Sequence, residues 1–414
     1  MNAPAKAAAI SSRTAYILLW FPKPTETFIF REVVNLRRLG LVLRVYTLYG
    51  RQTRLLSAEM REEADTDVER FGVGALLKIV SAIGFWCRRR PALGGRLLCA
   101  ALWRRRDGLE KGAENLWAYL CAFALARRFE AEGIEHIHAP WAGGPATAAW
   151  VASRLTGIPF TFTARAWDIY PPDGSIREKI RDALFVRTET RANIRHLAAY
   201  TGGRVDKFRL TYNGVPLTAL AAAPVSMHPP YRLLALGRFV RKKGFDQLLY
   251  AAQLLADANV DFCLTLAGDG ICRGQLQRLA RRLGIADRVR FPGFVPHERV
   301  ADLFLASDIF VMPCVVAPSG DRDGIPTVVL EALLHRVPVI ATDISGIPEL
   351  IENDVTGILV PERNPTALAD AVRRLAADRE FALALAERGR DRVRGQFDPE
   401  RNHRHVFDLY ANIA

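Results

Sequence analysis

Tyr231-Arg232-Leu233-Leu234-Ala235-Leu236-Gly237-Arg238-Phe239 is a mostly apolar run that closes on a glycine and an arginine, and a helix-like pattern starts near Phe245. A strand that is apolar on both faces belongs inside a parallel sheet covered by helices on either side. The same unit recurs downstream: Asp261–Gly268, Val289–Val295, Ile309–Cys314 and Pro338–Thr342 are short apolar runs, each followed by a helix-like segment. The C-terminal half therefore reads as a doubly wound α/β domain. Upstream the theme repeats more loosely, with strands expected at Tyr16–Trp20, Val42–Leu48, His136–His138, Pro159–Thr163 and Ala183–Arg187. Pro145 suits a first helical position, Gly157 follows a helix ending near Leu155, and Gly40 closes a helix running from about Phe28.

The turn Asn213-Gly214-Val215-Pro216 and the Ala/Pro-rich stretch up to Pro230 mark a linker. The expected organisation is an N-terminal Rossmann-like domain over 1–212, a C-terminal one over 213–396, and an amphipathic tail over 397–414 packing back on the first. Two facing Rossmann-like doubly wound domains leave an interdomain cleft, and ligands of such sheets bind beyond the C-terminal ends of the strands.

The 414 residues are 50% hydrophobic and 24% charged, enough to bury full cores in two domains. The apolar run Tyr16–Phe21 is shorter than a signal-peptide core and far shorter than a membrane span, so a cytoplasmic protein is expected. The six cysteines form no Cys-x-x-Cys pair and stand at no metal-ligand spacing to a histidine; free thiols and no metal are expected. The formal charge of +13 points to anionic partners. From Phe71 to Arg106 there are eight Lys/Arg and no Asp/Glu, arranged as apolar stretches (Ala75–Cys87, Leu97–Trp103) punctuated by Arg88-Arg89-Arg90 and Arg104-Arg105-Arg106. This segment suits either an anionic membrane surface, at the inner face of the membrane, or two core helices with solvated basic ends. Few aromatics interleave the charges and no recognition module is present, so nucleic acid is not an expected partner.

Two constellations carry chemistry. In Asp323-Gly324-Ile325-Pro326-Thr327-Val328-Val329-Leu330-Glu331-Ala332-Leu333-Leu334, a helix begins at Pro326 and is apolar on every side except Glu331. A lone carboxylate in such a helix needs a hydrogen-bonding partner, and ligand hydroxyls supply one. Glu331 lies about 7 to 8 Å along the helix from Pro326. Asp323 stands just before the N–H-rich helix start, which favours anions. The motif thus offers two carboxylates beside a diphosphate seat; alternatively, Asp323 caps the helix and Glu331 pairs with an arginine. The second constellation is Gly237-Arg238-Phe239-Val240-Arg241-Lys242-Lys243-Gly244. Arg238 and Lys243 at a strand end suit a pyrophosphate, one gripping oxygens bidentately and the other adding a compact charge. Arg241 and Lys242 read as solvated surface charge. Ala267-Gly268-Asp269-Gly270 opens like a dinucleotide fingerprint, but Arg273 stands where its last glycine belongs, leaving only a tight strand-to-helix turn.

These pieces, with Phe21–Ile29, His138-Ala139-Pro140-Trp141, Phe162–Asp168 and Phe291–Val295, resemble in order and spacing the retaining glycosyltransferases of family four, of GT-B fold and exopolysaccharide/colanic-acid type. The resemblance implies a retaining hexosyltransferase that moves a sugar from a UDP- or GDP-sugar to a lipid-linked or oligosaccharide acceptor, with no metal cofactor. It further implies that Arg238 and Lys243 bind the donor diphosphate, Glu331 the ribose, Asp323 the transferred sugar and the Gly293–Val295 backbone the base, with Gly324, Ile325 and Pro326 also among the donor-binding residues. Glu26, Thr27, His138, Trp141 and Asp168 are the candidates on the acceptor side, although a strand-end histidine such as His138 is more often structural. Two positions depart from the pattern. Asp323 replaces the first glutamate of the family's acidic pair. Arg165 replaces a histidine facing the donor sugar; it cannot act as a base near neutral pH but is expected to donate a hydrogen bond to sugar or phosphate there. The competing classes are a sugar-nucleotide epimerase and a catalytically silent nucleotide-sugar or glycan-binding partner.

Overall fold

A computed structural model of the chain describes residues 13–24, 26–50, 56–103, 109–170, 172–217 and 226–413. Arg104, Arg105 and Arg106, and the 218–225 part of the linker, lie outside the described residues. The chain divides into two compact units, Met1–Glu189 with Asn193–Thr211 and Glu400–Ala414, and Thr190–Ala192 with Tyr212–Pro399.

The first unit holds a parallel sheet of β1 (Arg13–Leu18), β2 (Val42–Thr47), β3 (Val68–Arg70), β4 (His136–Ala139), β5 (Phe160–Ala164), β6 (Val186–Thr188) and β7 (Phe208–Leu210), in the order β3-β2-β1-β4-β5-β6-β7. Alternation along β1 explains its placement. Ala15 and Ile17 enter one apolar cluster, whereas Tyr16 and Leu18 enter another on the opposite face. In the second unit β8 (Tyr231–Leu236), β9 (Phe262–Ala267), β10 (Val289–Gly293), β11 (Ile309–Met312), β12 (Val339–Thr342) and β13 (Ile358–Val360) pair in the order β10-β9-β8-β11-β12-β13. Strand order reverses direction at β1/β4 in one sheet and at β8/β11 in the other, and doubly wound sheets bind ligands beyond the strand ends at such points.

The expected strands are present, each ending within a few residues of its expected limits. β3, β7 and β13 were not expected: each has three residues and sits at a sheet edge, too short for a pattern to register. The helix over Gly144–Thr156 carries Pro145 in its first turn and ends on Gly157 at φ +87°.

One polar cluster is buried in the first unit. Arg187 grips Glu32 with one nitrogen 2.8 and 2.6 Å from the two carboxylate oxygens, and its Nε donates to Thr163 Oγ1 at 3.0 Å. Tyr16 donates to the same carboxylate at 3.1 Å and lies 3.2 Å, oxygen to oxygen, from Tyr410 of the terminal helix Pro399–Ala411. Burial alone would raise the pKa of Glu32, but Arg187 reverses that and holds it below the ordinary carboxylate value. The tail helix is thereby tied to this sheet through Tyr410, which also packs its ring against His136, His138 and Phe185.

Removing one partner of a buried pair leaves the other charge uncompensated, at a cost of about 3–5 kcal/mol. Arg187→Met is therefore expected to lower the thermal midpoint markedly near neutral pH. The sign follows from the lowered pKa of Glu32: the contribution is complete above the ordinary carboxylate range and is lost as pH falls through it, so the gap between wild type and variant should narrow in acid. A midpoint equal to wild type at pH 7 would show that the pair contributes nothing.

Candidate functional site

In the second unit the loops after β8 and β11 meet. Gly244 has φ +64°, and a Cβ there would lie 1.9 Å from the carbonyl oxygen of Pro313. Only glycine permits that approach. Beside it the Lys242 carbonyl accepts the Val315 N–H at 2.9 Å. The junction sets Lys243 Nζ 2.7 Å from Asp323 Oδ2 and Lys242 Nζ 3.3 Å from Asp323 Oδ1, with Asp321 Oδ1 3.0 Å from Lys242. Burial alone would raise the pKa of Asp323, but the two ammonium groups hold it down at about 2. Burial pulls Lys243 the opposite way, and Asp323 outweighs it to leave the pKa raised. Both shifts favour the charged forms, so Asp323 and Lys243 are ionised at neutral pH.

Lys242 corrects an expectation: it is buried and ion-paired, not solvated, whereas Arg241 is exposed as anticipated. Arg238 is exposed, and among the described residues its guanidinium makes no ion pair or hydrogen bond; its charge acts to lower the pKa of Lys243. Asp323 is not a helix cap. The helix spans Thr327–Leu334 with Pro326 at its N-cap and no side chain capping it. Glu331 is half-buried rather than enclosed, sharing the partly open face of the helix with Thr327 and Val328 one turn earlier. Gly324 and Ile325 are partly exposed and Pro326 is buried.

Across β8 lies the turn after β9. A Cβ on Gly268, at φ +133°, would sit 1.9 Å from the Gly237 carbonyl oxygen, so these two turns also touch through glycine. The Gly268 N–H donates to the Gly293 carbonyl at 2.8 Å, leaving that carbonyl engaged at the end of β10, with Val295 half-buried beyond it. Arg273, seen in the sequence only as a broken fingerprint, salt-bridges Asp269 at 2.8 Å and covers the position where a Gly293 side chain would begin.

The first unit separates its candidates into two sets. Arg165 is 3% exposed. Its Nε donates to the Pro140 carbonyl at 3.0 Å, its guanidinium pairs with Glu189, and its Cζ stands 4.5 Å from the Phe28 ring centre and 5.5 Å from that of Trp141. These contacts engage the guanidinium with protein groups on several sides. Burial lowers its pKa to about 10, still charged at neutral pH. Asp168 accepts the N–H groups of Ala142 and Arg165 on its two oxygens. The buried Lys179 donates to the carbonyls of Ala142 and Gly143 and pairs with Asp173. Arg165, Asp168 and Lys179 thus brace the 140–143 loop that follows β4, and neither Lys179 nor Glu189 was anticipated.

His138 takes the structural place that a strand-end histidine more often has. It is fully buried, with Nδ1 2.8 Å from Thr161 Oγ1 and Nε2 3.2 Å from Thr163 Oγ1, and burial pushes its pKa well below the ordinary value. The other set is partly exposed: Thr27, which opens the helix Thr27–Arg38, Glu26, which binds Lys23 at 2.6 Å, and Trp141, whose indole N–H donates to Glu26 at 3.3 Å.

A family model described as glycosyl transferases group 1 matches residues 222–392. The amylovoran biosynthesis glycosyltransferase AmsK of Erwinia amylovora is 31% identical over 189 residues, 46% of each chain. The GDP-mannose-dependent alpha-(1-6)-phosphatidylinositol monomannoside mannosyltransferase of Mycobacterium tuberculosis is 31% identical over 281 residues, 64% of this chain and 73% of that one. The match thus spans about half the length of AmsK and about three quarters of the mannosyltransferase. Among solved structures, Anabaena Alr3699/HepE in complex with UDP superposes with a TM-score of 0.69 at 18% identity, covering 97% of this chain and all of that one.

Asp168 supplies a pH test of the loop brace. Burial raises its pKa to about 7, against the hydrogen bonds and the charges of Arg165 and Lys179 that lower it, while an unfolded aspartate titrates near ~3.9. A raised pKa contributes stability that is complete below the unfolded value and lost as pH rises through about 7. Thermal midpoints are expected to fall as pH rises from about 4 to about 7 and to level off above it, and Asp168→Asn should flatten that slope, with a span of up to roughly 4 kcal/mol at stake. Parallel pH profiles for the two proteins would exclude Asp168 as the titrating group.

Proposed function

The chain belongs to the group 1 glycosyltransferases and has the GT-B fold, and on that premise we propose that it is a retaining family-four hexosyltransferase acting from a UDP- or GDP-sugar onto a lipid-linked glycan in cell-surface polysaccharide synthesis. The observation that carries this reading is the cation cluster at the end of β8, where Lys243 is held charged by Asp323 and Arg238 stands exposed beside it. Cleavage of the bond between sugar and diphosphate builds charge on the leaving oxygens. Fixed cations stabilise that charge more than the ground state, which is how they accelerate the step. Lys243 and Arg238 take the diphosphate, Asp323 orients Lys243 and meets the sugar hydroxyls, Glu331 takes the ribose from the open helix face, and the backbone at Gly293 and Val295 meets the base. UDP bound to the HepE relative, and the GDP-mannose in the name of the mycobacterial one, support a nucleotide-diphosphate donor without choosing the base. Retention requires no protein nucleophile when the acceptor hydroxyl attacks on the face the diphosphate leaves.

Glu26, Thr27 and Trp141 are assigned to the acceptor. Arg165 and Asp168 act as positioning residues, through the loop they hold. Membrane association is assigned to the helix Leu76–Arg89. Ile79, Ala82 and Trp86 are buried on one side of it, while Leu77 is 85% and Val80 65% exposed on the other, beside Lys78. Among the described residues no helix is long and apolar enough to cross a membrane. Exposed apolar side chains flanked by cations suit the interface of an anionic bilayer.

UDP-, GDP- and ADP-sugars should be screened for thermal stabilisation and for nucleoside-diphosphate release. One donor is expected to stabilise and turn over, and Lys243→Ala and Glu331→Ala to lose the stabilisation, with Lys243→Ala lowering turnover about 100-fold. Because protein cations carry the leaving-group charge, activity should survive EDTA; loss on chelation with recovery in magnesium would overturn that assignment. Stabilisation without release under any acceptor would favour a silent binding partner. Separately, flotation with vesicles containing phosphatidylglycerol should carry the protein upward at low salt, and Leu77→Asp should release it; equal flotation of the variant would remove the helix from the interface.

A further inference from the structure

The C-terminal edge of the first sheet carries a feature that the donor chemistry does not use. Trp20 follows β1 and Tyr49 follows β2, and their rings stack with centres 5.1 Å apart at 23°. Tyr49 stacks in turn near Trp117, at 6.5 Å and 12°. Three near-parallel rings from three separate segments thus form a ladder, and all three are half-buried.

The ladder is held rigidly. The Trp117 indole N–H donates to the Leu48 carbonyl at 2.7 Å, the Tyr49 N–H to the Leu19 carbonyl at 3.0 Å, and the Thr47 hydroxyl to the Tyr49 carbonyl at 2.7 Å. Its polar tips are less committed. The indoles of Trp86, Trp117, Trp141 and Trp150 each donate a hydrogen bond. Among the described residues, no such bond engages the Trp20 N–H or the Tyr49 hydroxyl. Half-buried rings that pack on one another while their polar tips stay open offer a surface to a ligand that is apolar on one face and polar at its edge.

A pyranose has that construction, with C–H groups on one face and hydroxyls around the rim. We propose that Trp20 and Tyr49 are the platform on which a sugar ring of the acceptor glycan stacks, with the Trp20 N–H and the Tyr49 hydroxyl reading its hydroxyls. The proposal rests on the transferase reading and deepens it. It places acceptor recognition at the ends of β1 and β2, beside the segment that carries Glu26, where doubly wound sheets bind their ligands. A macromolecular partner would need a broader apolar surface than three half-buried rings supply.

The test is saturation-transfer NMR on the full chain with the methyl α- and β-glycosides of glucose, galactose and mannose as probes. At least one glycoside should receive saturation on its ring C–H protons in wild type. Trp20→Ala and Tyr49→Ala should reduce it about tenfold, the size expected for one aromatic contact, while Trp20→Phe keeps part of it. Trp20→Leu retains apolar packing without an aromatic face and should behave as Trp20→Ala does, with an unchanged thermal midpoint. No ring saturation with any of the glycosides in wild type, or undiminished saturation in Trp20→Leu, overturns the proposal. Stabilisation by UDP or GDP, measured on the same samples, reports separately on the donor reading: its presence with failed glycoside binding sinks only the platform, and its absence sinks the transferase reading.

Discussion

The second unit is organised around one carboxylate set between two ammonium groups. Asp323 bridges Lys243 and Lys242 in a buried place, and Asp323 and Lys243 each favour the charged form of the other against the cost of burial. The arrangement needs the β8 and β11 loops closer than any side chain at Gly244 would permit. Once that contact exists, Lys243 is fixed beside the exposed Arg238, and the protein carries a preformed positive seat at the strand ends.

The first unit spends its charges differently. Arg165, Asp168 and Lys179 all point into the 140–143 loop, satisfying its carbonyl and N–H groups, while Arg187, Glu32 and two tyrosines tie in the terminal helix. Buried polar groups of this kind make a loop rigid but leave little for a ligand. What stays partly exposed along this edge is aromatic, Trp20, Tyr49 and Trp141, with Glu26 beside them held by Lys23 and Trp141. A donor seat made of cations and an acceptor surface made of rings match the chemistry of their proposed ligands, a diphosphate in one case and a sugar face in the other.

Particular residues show how far the chain could be read beforehand. β8 was legible because four successive apolar residues, Leu233–Leu236, must serve a sheet buried on both faces, so the run and its closing glycine and arginine stand out. The edge strands β3, β7 and β13 were not, since three residues carry no period. Lys243 and Asp323 were found by position relative to a strand and a helix. Lys242 was misjudged because nothing adjacent in sequence reveals a partner 79 residues away. Arg165 was placed at the end of β5, but its packing was not legible, because the rings beside it come from Phe28 and Trp141.

Hydrophobic period and turn chemistry are local properties, written into consecutive residues, and they were sufficient for two doubly wound parallel sheets and for the order of the motifs along them. Which charged groups remain available is a different matter. It depends on partners brought in from distant segments by strand order and glycine contacts, and on how much water each group loses on the way. Tertiary structure alone decided that Arg238 stays exposed while Lys242 and Arg165 are consumed, that His138 is sealed between two threonines, and that Trp20, Tyr49 and Trp117 stack into one surface.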